Sequence, residues 1–168
     1  IGLVKIVASN LIPISIGNSD KMLVGDLAVA IGHPLTLGAA PTVTTGVVSA
    51  LERRLDVGGD LMGSSVTLFG LIQTDAPITR GSSGGALINK NGELIGITTA
   101  IATADVGAEG LGFAVPINLA LNIAEDLIKD GEILHAFLGI LGAQHFEMAE
   151  DGARIFSGVY IQELYGPG

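Results

Sequence analysis

Gly81-Ser82-Ser83-Gly84-Gly85 sets a serine hydroxyl among glycines, a pattern suited to nucleophilic attack on a carbonyl. Such a serine needs an exposed hydroxyl, a base to take its proton, and donors for the oxyanion that forms. This loop can supply the first and the last. Glycines on both sides open backbone angles closed to other residues and let a substrate carbonyl approach the main chain. In such a turn the N–H groups of Gly81 and Ser83 could converge on one point. One essential donor of that kind is worth roughly 3–4 kcal/mol in the transition state.

Plainer readings stand beside this one. Gly/Ser pentapeptides are common in turns and linkers. The five residues also fit G-x-S-x-G, the nucleophile elbow of α/β-hydrolases, which requires a strand before the serine and a helix after it. The downstream sequence argues against the elbow. Ala86-Leu87-Ile88-Asn89 and Glu93-Leu94-Ile95-Gly96-Ile97 are strand-like runs around Lys90-Asn91-Gly92, and Asn-Gly signals a tight hairpin.

The elements that must hold the loop are short apolar runs at 2–7, 23–32, 43–51, 67–73, 86–88, 93–100 and 112–115. Gly, Pro, Asn and Asp clusters separate them, the pattern of an antiparallel barrel of six or seven strands. Residues 36–42, 55–65 and 102–110 read as loops. Pro116-Ile117-Asn118 then opens a helical period, with Ile117, Leu121, Ala124, Leu127 and Ile128 on one face and Gly131 as a stop. The expected helix runs over about 117–130 and closes the barrel.

Composition sets outer limits. A chain of 168 residues with 48% hydrophobic content can bury a real core, and 25 glycines with only 4% aromatics suit a loop-rich β protein. A net charge of −9, with no basic cluster longer than Arg53-Arg54, argues against nucleic-acid binding. No apolar run approaches the roughly 20 residues that span a bilayer. Without cysteine there is no disulfide, thiol nucleophile or thiolate metal site. No His/Asp/Glu spacing suggests a metal, and no phosphate-binding or dinucleotide fingerprint is present, so no cofactor is expected.

Five segments, in order, resemble the HtrA family of trypsin-like serine proteases. Thr74-Asp75-Ala76-Pro77-Ile78-Thr79-Arg80-Gly81-Ser82-Ser83-Gly84-Gly85-Ala86-Leu87 is similar to that family's T-D-A-x-I-x-x-G-N-S-G-G-A-L. Val24-Gly25-Asp26-Leu27-Ala28-Val29-Ala30-Ile31-Gly32-His33-Pro34 resembles V-G-D-x-V-x-A-I-G-N-P, and Val43-Thr44-Thr45-Gly46-Val47-Val48-Ser49-Ala50 resembles V-T-x-G-I-V-S-A. Gly96-Ile97-Thr98-Thr99-Ala100-Ile101 is similar to G-I-N-T-A-I, and Gly112-Phe113-Ala114-Val115-Pro116 to G-F-A-I-P. The chain departs from the pattern at Ser82, where Asn is usual, at Arg80, where Pro is frequent, and at His33, which replaces Asn.

The resemblance implies an all-β fold: the second, C-terminal antiparallel barrel of a trypsin-like domain over 1–133, its closing helix, and the first part of a PDZ domain over 134–168. It implies a serine endopeptidase acting on unfolded or misfolded polypeptides in protein quality control. Ser83 would be the nucleophile, with the Gly81 and Ser83 amides as the oxyanion hole. The triad His and Asp of the family lie on the preceding barrel, the Asp directly before the strand that Ile1-Gly2-Leu3-Val4-Lys5-Ile6 resembles. None of His33, His135 and His145 stands in the family's T-N-x-H-V context, and His33 falls in an activation loop. The chain alone is therefore expected to be inactive.

In the family the S1 pocket is walled by the segments corresponding to Pro77-Ile78 and Thr98-Thr99-Ala100-Ile101. No acidic residue falls at its base, which implies small aliphatic P1 residues rather than Lys or Arg. Phe137-Leu138-Gly139-Ile140 resembles the carboxylate-binding loop of the PDZ domain, and residues 158–164 resemble its next strand. The resemblance further implies a homo-oligomer, a trimer in the family, and a location outside the cytoplasm, periplasmic or at the cell envelope. The reading left open beside catalysis is a peptide-binding or chaperone-like module.

Overall fold

Strand β1 (Leu27–Gly32) shows how the barrel is built: its buried side chains are alanines, Ala28 and Ala30, alternating with larger, more exposed Leu27, Val29 and Ile31. A narrow six-stranded barrel leaves little room inside, so small residues face inward on some strands and larger ones on others. Val48, Ile72, Leu87 and Ile95 fill the remaining space, with Ala76 and Ala114 between them.

This is a computed structural model, and it describes residues 1–33, 40–57, 66–79, 81–101, 111–133, 138–149 and 151–166. They divide into two compact units, Ile1–Ile133 and Leu134–Gly168.

In the first unit, β1 is joined by β2 (Thr42–Val57), β3 (Val66–Thr74), β4 (Ala86–Ile88), β5 (Leu94–Ile101) and β6 (Gly112–Pro116). Their order around the closed barrel is β1-β2-β3-β6-β5-β4, and every pairing is antiparallel. Closure comes from β1 against β4, with Ala30 opposite Leu87, so that every strand has a neighbour on both sides within the barrel. The β2–β3 pair outruns the barrel, and its register shifts between Ala50 and Arg53, where Glu52 takes a positive φ of 53°. Such a bulge bends the strand.

Helix α1 (Ile117–Asp130) follows β6 at once. Its N-cap is Pro116, which brings no side-chain acceptor. Ser19, in a short 3-10 turn (Ser19–Lys21), supplies one: its Oγ accepts from the Asn118 N–H at 3.2 Å. Ile117 and Ala120 are buried against the outside of the barrel with Leu94. The helix ends at Gly131, whose N–H reaches the Leu127 carbonyl at 3.2 Å.

Three expected boundaries are corrected. Residues 2–7 form no strand; Val4 and Val7 are fully exposed there, and the segment joins no sheet. Apolar alternation alone does not make a strand without a neighbour to take its backbone hydrogen bonds. The strand expected from residue 23 begins at Leu27, because Asp26 closes a turn onto Leu23, its Oδ2 accepting the Leu23 N–H at 2.8 Å. The loop expected over 55–65 does not begin at 55, since β2 runs on to Val57, and residues 58–65 lie outside the described residues. Most of the loop expected at 36–42, and all of that at 102–110, lies outside the described residues.

The second unit is a hairpin of β7 (Ile140–Met148) and β8 (Arg154–Leu164), with Phe146 and Phe156 edge to face at 5.8 Å.

Candidate active site

The loop that carries Ser83 connects β3 to β4 and is tied to the barrel at both ends. Before it, Asp75 accepts the Val47 N–H on Oδ1 at 2.6 Å, and the Thr44 hydroxyl donates to the Pro77 carbonyl at 2.8 Å. After it, the Gly84 N–H donates to the Thr98 carbonyl at 2.7 Å and the Thr98 N–H to the Gly85 carbonyl at 2.9 Å. Gly81 and Gly84 sit at φ of 96° and 86°, the left-handed region that side chains rarely enter. Gly85 is required for a different reason: a Cβ there would overlap the Ile31 carbonyl oxygen.

The result is a loop with alternating roles along its backbone. The amides of Ser82, Gly84 and Gly85 donate to the carbonyls of Thr79, Thr98 and Ser82. Those of Gly81 and Ser83 have no backbone acceptor among the described residues. Ser82 is buried, whereas Ser83 is exposed and lines a cleft of about 490 Å³ between β5, β6 and α1. Thr98, Thr99, Ile117 and Ala120 line the same cleft, together with residues 1–3.

The Ser83 hydroxyl donates to the Thr99 carbonyl. A carbonyl orients a hydroxyl but cannot take its proton, so this contact supplies no general base. His33 is exposed directly after β1, and His145 belongs to the second unit, where its Nδ1 lies 2.7 Å from Ser157 Oγ. His135 lies outside the described residues. No group of three His, Asp or Glu side chains among the described residues is placed to hold a metal ion.

Residues 1–97 match the family described as trypsin-like peptidase domain, more than half of the 168. The chain belongs to the trypsin-like peptidase family. This trypsin-like peptidase is 48% identical over 161 residues to the periplasmic pH-dependent serine endoprotease DegQ of Escherichia coli K12, a match taking in 93% of this chain and 33% of that protein. It is 45% identical over 166 residues to the serine protease PepD of Mycobacterium tuberculosis H37Rv, covering 90% of this chain and 35% of that one. Among solved structures, the HtrA-type protease AlgW with tripeptide is similar at a TM-score of 0.75 and 35% identity, over 98% of this chain and 52% of that chain. The homologues are named serine endoproteases, and the chain spans about a third of the length of these curated relatives.

Within this trypsin-like peptidase the expected substrate walls are distributed unevenly. Thr98 and Thr99 share the cleft with Ser83. Pro77 instead lines a second, small pocket of about 70 Å³ with Thr44, Thr79 and Ser82, and Ile78 is buried in the barrel core. Ala100 and Ile101 end β5, where Ile101 pairs with Gly112. In the second unit Ile140 opens β7 opposite Leu164, Gly139 is buried and Leu138 is exposed; Phe137 lies outside the described residues.

Two contributors were not singled out by sequence reasoning. Thr44 and Asp75 hold the entry to the loop, and their signal was only the polar interruption of otherwise apolar runs. The face of α1 that carries Ala120 and Ala124 lines the cleft, and its signal was the pair of small residues one turn apart.

Proposed function

We propose that this chain is the nucleophile-bearing barrel of an HtrA-type serine endopeptidase that hydrolyses peptide bonds in unfolded or misfolded polypeptides. The observation that carries the reading is the loop around Ser83, whose side chain lines a cleft while the amide of the next residue, Gly84, is bonded to Thr98 of β5. Ser83 Oγ attacks the scissile carbonyl as a histidine takes its proton. The tetrahedral oxyanion is held by the Gly81 and Ser83 amides. Collapse breaks the C–N bond, the histidine protonates the leaving amine, and water then hydrolyses the acyl-enzyme.

The histidine and its aspartate belong to a preceding barrel, as the family pattern places them. Within the chain the Ser83 hydroxyl bonds the Thr99 carbonyl, which is no base. Pro77, Ile78, Thr98, Thr99, Ala100 and Ile101 form the substrate walls, with a preference for small aliphatic P1 residues. Residues 134–168 begin a PDZ domain whose Phe137-Leu138-Gly139-Ile140 loop takes a peptide carboxylate. The working protein is extracytoplasmic, periplasmic or at the cell envelope, and homo-oligomeric. The name of one relative supports the location: DegQ is called periplasmic.

A fluorophosphonate tests the reading, because it forms a covalent bond only with an activated serine. Labelling at Ser83 in a form extended upstream through the preceding barrel, but not in residues 1–168 alone, is the expected result. Absence of labelling in both forms would leave the binding-module reading; labelling of the short chain would place the base within it.

A further inference from the structure

Thr98 uses all three of its hydrogen-bonding groups on the nucleophile loop. Its carbonyl accepts from Gly84, its N–H donates to Gly85, and its side-chain hydroxyl donates to the Ser82 carbonyl at 2.5 Å. The residue is 1% exposed, and β-branching leaves its side chain few alternative rotamers in a strand. The Ser82 carbonyl accepts a second bond, from the Gly85 N–H at 3.0 Å.

That carbonyl belongs to the same peptide unit as the Ser83 N–H. In a planar trans peptide the C=O and N–H point in opposite directions, so fixing one aims the other. With the Ser82 oxygen drawn into the barrel wall, the Ser83 N–H must point away from it. We propose that Thr98 is a positioning residue for the oxyanion hole: its hydroxyl pins the Ser82 carbonyl and thereby aims the Ser83 amide at the oxyanion. The inference rests on the reading of Ser83 as nucleophile.

Thr98→Val removes the hydroxyl at nearly constant shape, and Thr98→Ser keeps the hydroxyl in a smaller side chain. Both variants are compared with the parent in the upstream-extended form, using a peptide substrate and a peptidyl trifluoromethyl ketone, which forms an oxyanion adduct on the serine. Thr98→Val is expected to lower kcat by about tenfold and to weaken ketone binding by about tenfold, with KM within about twofold, while Thr98→Ser stays within about twofold of the parent. Unchanged kcat and ketone affinity in Thr98→Val overturn the inference. So does a loss confined to KM, or a Thr98→Ser loss as large as that of Thr98→Val, which would assign the effect to packing. A parent that fluorophosphonate does not label at Ser83 overturns the nucleophile reading, and the inference with it.

Discussion

The barrel and the β7–β8 hairpin are both antiparallel and both rich in apolar residues, yet one has a core and the other does not. In the barrel, Val48, Leu87, Ile95 and Ala114 are fully buried, because closure surrounds them with strands. In the hairpin, Ile155, Phe156, Val159 and Ile161 all remain more than half exposed. Strand pattern brings residues to a face, and only closure or a second layer removes that face from water. The difference bears on chemistry: the loop around Ser83 can keep one shape only because Gly84, Gly85 and Asp75 are bonded to the barrel strands.

The comparison breaks most severely at the join between loop and barrel. Gly85→Ala would drive a methyl group into the Ile31 carbonyl, backbone against backbone, and is expected to cost about 3 kcal/mol or more in denaturant unfolding and to displace Ser83. Leu87→Ala, next along β4, removes a fully buried side chain and should cost about 3 kcal/mol by the same measurement. Its counterpart in the hairpin, Phe156→Ala, is expected to cost less than about 1 kcal/mol and to leave the barrel's unfolding midpoint unchanged, since the side chain is 55% exposed. Equal losses from Leu87→Ala and Phe156→Ala would contradict the contrast between the two regions.

The smallest effect lies on the part of the β2–β3 pair that leaves the barrel. The Thr67 hydroxyl, bonded to Asp56 at 2.5 Å, and then Arg54 hold the Asp56 carboxyl below its ordinary value of 3.8. A carboxyl whose folded pKa is depressed favours the fold above its unfolded value, and that contribution fades as pH falls through the folded pKa. The Asp56 side chain is about half exposed, and solvent screens the effect. Thr67→Val should raise the Asp56 pKa toward 3.8 in an NMR titration while leaving neutral-pH stability almost unmoved; no upward shift would show that the hydroxyl is not its main partner.

Much of this was legible in the chain itself because it depends on neighbours in sequence. Asn91-Gly92 turns the β4–β5 hairpin, with the Asn89 side chain accepting from Asn91 and Glu93 within the same few residues. Ser83 among its glycines was equally plain. What could not be read depends on register between distant strands. The Thr98–Ser82 bond spans 16 residues and exists only because β5 passes beneath the loop. The β3–β6 and β1–β4 pairings join strands far apart in sequence, and nothing in either strand names its partner. Residues 2–7 show the converse, a strand pattern that pairs with no strand among the described residues.

The most direct test of the central claim is intact-mass detection of fluorophosphonate on the upstream-extended form, beside its Ser83→Ala variant. The account predicts one adduct, mapped to Ser83 and absent from the variant, with residues 1–168 alone unlabelled. An extended form that takes no label, or that keeps it after Ser83→Ala, would contradict the assignment of Ser83 as nucleophile.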